Sequence, residues 1–155
     1  MNYRKGDIFK TELMQLGVIL VHGCNSRGKM GSGFAKSFAK KYPDAFKKYV
    51  EDLESKEIGL GGISWAAGPD GVYLASGITQ LYYGRDVSHR YVSYDAIDKV
   101  MDVVFFAASK IDFGVHMPKI GCGLGGGDWD VVSAIILTNA KKHGVDTSNI
   151  FVWEL

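Results

Sequence analysis

The sequence predicts a three-layer α/β/α fold, with a mixed, mostly parallel sheet held between helices. Apolar runs of strand length alternate along the chain with segments that repeat apolar residues at helical spacing. One of those runs, Val18-Ile19-Leu20-Val21, is wholly apolar, as a strand covered on both faces requires. Glycine makes up 20 of 155 residues, and the glycines cluster where a strand would hand over to a helix.

Taken in order, Tyr3 to Phe9 and Gly17 to His22 read as the first two strands, and Gly23 to Gly33 as a loop. A helix begins at Phe34 and stops at Pro43, which cannot continue it. A second helix follows with Phe46, Tyr49, Val50 and Leu53 on one face. Ile63 to Ala67 and Val72 to Ser76 are strands on either side of the turn signal Gly68-Pro69-Asp70-Gly71. Ser93 is a suitable N-cap for a helix that runs to Lys110, with Ile97, Val100, Met101, Val104, Phe105 and Ala108 inward. Gly114 to Met117 is a short strand, and Gly121 to Gly127 a second glycine loop. Asp128 then caps a helix carrying Val131, Val132, Ile135 and Ile136, and Ile150 to Trp153 form the last strand.

A chain of this length makes one domain, residues 1–155, and buries roughly two-thirds of its unfolded surface. The formal net charge of +1 gives no bulk basic footprint for nucleic acid. Lys36, Lys40, Lys41, Lys47 and Lys48 read as a solvated helix surface. No apolar run approaches the roughly 18 residues of a membrane span, and the start lacks the apolar core of a signal peptide. A cytoplasmic monomer without membrane attachment is expected. Cys24 and Cys122 lack metal-ligand spacing, so they are expected as reduced thiols, with no metal site and no cofactor.

The two glycine loops carry the functional signal. Each follows a strand and precedes a helix, which places both at the carboxyl edge of the sheet, where open α/β sheets bind ligands. Helix N-termini there offer free N–H groups to anions, and glycine lets a phosphate approach the backbone closely. Two facing loops suit a diphosphate. Tight turns alone are the simpler explanation, yet five glycines in the seven residues Gly121 to Gly127 exceed what a turn needs. Gly23 to Met30 fits G-x-x-x-x-G-K and then fails, because Met30 replaces the hydroxyl residue that would hold magnesium. Gly121, Gly123 and Gly126 fit G-x-G-x-x-G, but the acidic residue about twenty positions on, Asp146, precedes a strand instead of ending one. Neither cysteine has an arginine six positions on, which excludes the phosphate loop of cysteine-dependent phosphatases.

The residues also resemble a known family. Gly6-Asp7-Ile8, His22-Gly23-Cys24-Asn25 running into Met30-Gly31-Ser32-Gly33-Phe34-Ala35, Tyr42-Pro43-Asp44-Ala45, and Pro118-Lys119-Ile120-Gly121-Cys122-Gly123-Leu124 before Trp129 look like a macro domain. The resemblance spans essentially the whole chain and is greatest to the small group containing yeast-type ADP-ribose-1''-phosphate phosphatases and terminal ADP-ribose glycohydrolases. It implies an ADP-ribose pocket with Asp7 and Ile8 near the adenine and with Trp153 and Leu155 at its edge. It also implies that Met30, Gly31, Ser32 and Gly33, with Gly121, Cys122, Gly123, Leu124 and Gly125, surround the diphosphate and distal ribose.

The glycohydrolase branch of that group uses a lysine just before a Ser-His segment and an acid just after Gly-Cys-Gly-Leu. Here those places hold Gly84 or Arg85, ahead of Ser88-His89, and Gly125. Arginine stays protonated and is no nucleophile; His22 followed by Cys24-Asn25 instead resembles the phosphatase-type members of the group, which implies the phosphatase reaction. His22 is the candidate for proton transfer, with a buried structural histidine as its alternative. Asp128 either orients water or His22, or serves only as a helix cap. Asn25 is expected on a ribose hydroxyl, His89 on a loop over the distal ribose, and Arg85 and Arg90 on the terminal phosphate. Competing readings are a non-catalytic ADP-ribose reader and a hydrolase that removes ADP-ribose from protein or nucleic acid.

Overall fold

The computed structural model describes residues 1–10 and 17–154. Six strands among them form one sheet: β1 (Asn2–Lys5), β2 (Val18–Asn25), β3 (Ile63–Ala67), β4 (Val72–Gln80), β5 (Gly114–Pro118) and β6 (Ile150–Glu154). Their spatial order is β1-β6-β5-β2-β4-β3, and only the edge strand β3 runs antiparallel to its neighbour. The helices are α1 (Gly33–Lys41), α2 (Pro43–Glu54), α3 (Tyr94–Ile111) and α4 (Trp129–Lys142). The fold is thus the expected α/β, mixed and mostly parallel.

Alternation along β2 divides the core in two, because successive side chains leave opposite faces of a strand. Ile19 and Val21 pack with Met101, Phe105 and Ile136 beneath α3 and α4. Leu20 and Cys24 pack with Phe38, Tyr49 and Leu74 beneath α1 and α2. Both faces of the sheet are therefore covered, which is why the Val18 to Val21 run needs no polar positions. Ser93 Oγ accepts the Ala96 N–H at 3.1 Å and starts α3 where the sequence placed it.

Three strand ends differ from the sequence reading. β1 stops at Lys5, because Gly6 has φ +123° and Asp7 Oδ1 then accepts the Phe9 N–H at 2.9 Å to open a single 3-10 turn over Ile8–Lys10. β2 continues past His22 to Asn25 alongside β4, which itself continues past Ser76 to Gln80. Gly77 in β4 packs so tightly on α3 that an added Cβ would meet Val100 at 2.7 Å, so this glycine marks a close crossing and not a strand end. Of the apolar residues on α4, Val131 is exposed, and Val132 and Ile136 carry the buried face. The lysines of the expected solvated patch are exposed, with Lys48 Nζ paired to Asp52 at 2.9 Å one turn away.

Candidate functional site

The carboxyl ends of β2, β4 and β5 open into a cleft of about 850 Å³ between the two glycine loops. A smaller cavity of about 360 Å³ adjoins it. Phe34, Pro118, Lys119 and Gly123 line both, so the two volumes form one elongated site.

One wall is the segment from Asn25 to Gly33. Asn25 Oδ1 accepts the N–H groups of Arg27 at 3.0 Å and Lys29 at 3.3 Å, and its Nδ2 donates to Lys29 O at 2.8 Å. Tyr49 from α2 donates its hydroxyl to the Asn25 carbonyl. Asn25 lines the cleft, yet its amide is spent mainly on stapling this loop, with one N–H left for a ligand. Met30 anchors the loop in the core, while Gly31, Ser32 and Gly33 are exposed to the cleft. Ser32 occupies the N-cap of α1 without capping it by its side chain, and the first N–H of that region to find a carbonyl is Lys36, on Ser32 O at 3.3 Å.

The opposite wall is the loop Gly121 to Gly127. Gly127 N–H bonds Gly121 O at 2.7 Å and Gly126 N–H bonds Gly123 O at 3.1 Å, which curls the loop tightly. Gly125 O receives the N–H groups of Tyr91 and Val92, fixing the loop to the segment before α3. No acceptor among the described residues takes the N–H groups of Gly123, Leu124 or Gly125. Gly121 and Leu124 also line the cleft.

His22 stands on the floor, on the β2 face beneath α1. Its Nε2 lies 2.9 Å from Ser76 Oγ, its ring centroid is 4.0 Å from that of Phe38, and it is 1% exposed. Burial pushes its pKa down to about 3, so the ring is neutral at pH 7. Cys24 Sγ lies 3.7 Å from the ring, and burial holds its thiol above the ordinary range. Gly23 is required between them, because a Cβ there would stand 2.6 Å from Thr79 Oγ1.

The smaller cavity is lined by Ile8, Cys122 and Trp153. Cys122 donates its thiol to Ile120 O at 3.3 Å, and burial pushes its pKa up to about 11. Lys119 reaches Glu154 at 2.8 Å across the rim of this cavity. Asp7 lines neither volume and caps the 3-10 turn beside Ile8. Leu155 lies outside the described residues.

Asp128 also stands outside both volumes. Its carboxylate accepts the Asp130 N–H at 2.9 Å as the N-cap of α4, so of its two expected roles the structure displays the cap. Arg90 turns away from the cleft to lie 4.2 Å above the Tyr94 ring, and His89 packs edge-on against Tyr91. Arg85 does line the cleft and donates to Ser32 Oγ at 3.4 Å. Sequence reasoning missed Lys29, Tyr83 and Lys119 as lining residues. Lys119 had a visible signal in its place beside Gly121, whereas Tyr83 sits on a loop without periodicity. Lys29, Arg85 and Lys119 give the main cleft three cations, and none of its described lining residues is a carboxylate.

Residues 21–77 match the family model described as Macro domain. The chain is similar to an ADP-ribose 1''-phosphate phosphatase of the yeast Meyerozyma guilliermondii, 30% identical with 98% of each chain covered. It is also similar to an ADP-ribose glycohydrolase of Bos taurus, 29% identical over 88% of this chain and 81% of the relative. Among solved structures, a macrodomain protein from Streptomyces coelicolor superimposes with a TM-score of 0.80 at 24% identity, covering 99% of this chain and 98% of that one.

Proposed function

The chain belongs to the macro domain family, and from that premise we propose that its cleft binds ADP-ribose and hydrolyses the terminal phosphate of ADP-ribose-1''-phosphate. The observation that carries the proposal is the pair of glycine loops that wall one cleft, where Gly123, Leu124 and Gly125 keep unengaged N–H groups and Lys29 and Arg85 stand beside Lys119, itself paired with Glu154 at the rim. Backbone N–H groups and cations at a helix start favour phosphate oxygens. In this reading the diphosphate lies between the loops, the adenine enters the smaller cavity beside Ile8 and Trp153, and the distal ribose points toward His22.

In the hydrolysis, water adds its oxygen to phosphorus, the bond from phosphorus to the anomeric oxygen breaks, and that oxygen recovers a proton to give ADP-ribose and inorganic phosphate. A neutral His22 accepts the water proton and passes it to the leaving oxygen. The low pKa makes it a weak base, an observation that favours a non-catalytic ADP-ribose reader as the second reading. Incubation with ADP-ribose-1''-phosphate, with phosphate release measured beside an ADP-ribosylated protein control, separates the two. Release from the small molecule supports the phosphatase; calorimetric binding of ADP-ribose without release supports the reader. Absence of both binding and release removes either reading.

A further inference from the structure

Trp153 lines the smaller cavity, and its orientation is set by a residue that the cavity does not touch. The indole Nε1–H donates to His116 Nδ1 at 3.0 Å. The two rings differ by 22° in plane, with centroids 6.1 Å apart. Rings so nearly coplanar at that separation lie edge to edge, as an N–H···N bond between them requires. His116 is 2% exposed and Trp153 9%, so water does not replace this contact readily.

His116 is fixed in turn. Its ring stacks on Phe151 at 4.5 Å and 14°, and the Arg4 guanidinium lies 5.8 Å from the centre of the Phe151 ring. Burial, reinforced by Arg4, pushes the imidazole pKa down to about 4, which keeps the Nδ1 lone pair available at neutral pH. Indole nitrogen is a donor only, and a buried donor without an acceptor is costly. The direction of the Trp153 ring therefore follows the His116 lone pair.

We propose that His116 is a positioning residue for the base end of the ligand: by accepting the Trp153 indole proton it fixes the wall against which a planar purine packs. It sets affinity for the base without touching it. The inference rests on the ADP-ribose reading above.

The test is a double-mutant cycle read by calorimetric titration with ADP-ribose. His116→Leu removes the acceptor, His116→Asn restores an oxygen near the Nδ1 position, and Trp153→Phe keeps an aromatic wall without the N–H. One lost buried hydrogen bond predicts that His116→Leu weakens binding about 10-fold while His116→Asn stays within about twofold of wild type. In the Trp153→Phe background, His116→Leu costs nothing further. If His116→Leu fails to fold, His116→Phe takes its place, since its ring can stack on Phe151 and carries a C–H where the Nδ1 acceptor stood. Equal losses in both backgrounds, or no loss in a folded variant, overturn the inference and leave the ADP-ribose reading standing. Failure of the wild-type protein to bind ADP-ribose overturns both.

Discussion

Gly123 and Gly125 stand two positions apart in one loop and are glycine for opposite reasons. A Cβ at Gly125 would lie 2.7 Å from Gly121 O, so the loop cannot curl with a side chain there. A Cβ at Gly123 meets nothing within 4 Å, and its φ is not in the left-handed region. Folding does not demand this glycine; in the proposed reading, close approach of a phosphate does. Gly123→Val is expected to abolish ADP-ribose binding by calorimetry while the melting temperature stays near wild type, and Gly125→Val to lower the melting temperature. Gly33 is a poorer probe, because its φ of +57° makes any side chain strained there. His22 calls for a substitution that separates packing from proton transfer. His22→Gln keeps an amide able to bond Ser76 and removes the titrating ring. General-base catalysis predicts a fall in phosphate release of roughly 100-fold with ADP-ribose affinity retained. Undiminished release from a folded, binding variant assigns His22 to packing alone.

At the scale of elements, Asp128 offers a clean comparison. As an N-cap outside the cleft, Asp128→Ala should cost about 1 kcal/mol of stability by denaturant titration, and Asp128→Asn much less. Both should leave phosphate release unchanged. The caps at Ser93 and Asp128 were legible in the sequence because a short polar residue preceded a strong 3.6-residue period. The ends of β2 and β4 were not, because Gly23, Ser76 and Gly77 resemble punctuation until two strands and a helix are known to meet there. The same limit applied to the site. The two glycine loops announced themselves by composition, whereas Arg90 and Arg85, five residues apart, turned to different surroundings according to which aromatic or hydroxyl lay nearby. Asn25 was visible as a polar residue at a strand end, but its engagement with Lys29 depends on the turn that follows.

For the molecule as a whole, buried neutral histidines set the response to acid. An unfolded histidine takes up its proton near pH 6.5, whereas His22 resists until about 3 and His116 until about 4. Between those values the unfolded chain binds more protons, so stability is greatest above about pH 6.5 and falls as pH falls toward the folded values. Denaturant midpoints measured from pH 7.5 to 4 should decline across that interval, and the decline should be shallower in His116→Asn. A flat profile would mean that both rings take up their protons in the native state at the same pH as in the unfolded chain.

The pairing of β1 with β6 joins Asn2 to Phe151, across nearly the full length of the sequence. During synthesis from the N-terminus, β1 has no partner until β6 has left the ribosome, so the edge of the sheet closes last. Loop-closure entropy makes contacts of such separation slow to form. The Gly6 N–H, which bonds Glu154 O at 2.8 Å, and the neighbouring Ile8 wall of the smaller cavity belong to that late step. Pulse-labelled hydrogen exchange during refolding should protect β2 and β4 before Gly6. On the proposed reading, a nascent chain would then acquire its grip on phosphate before it could distinguish one base from another.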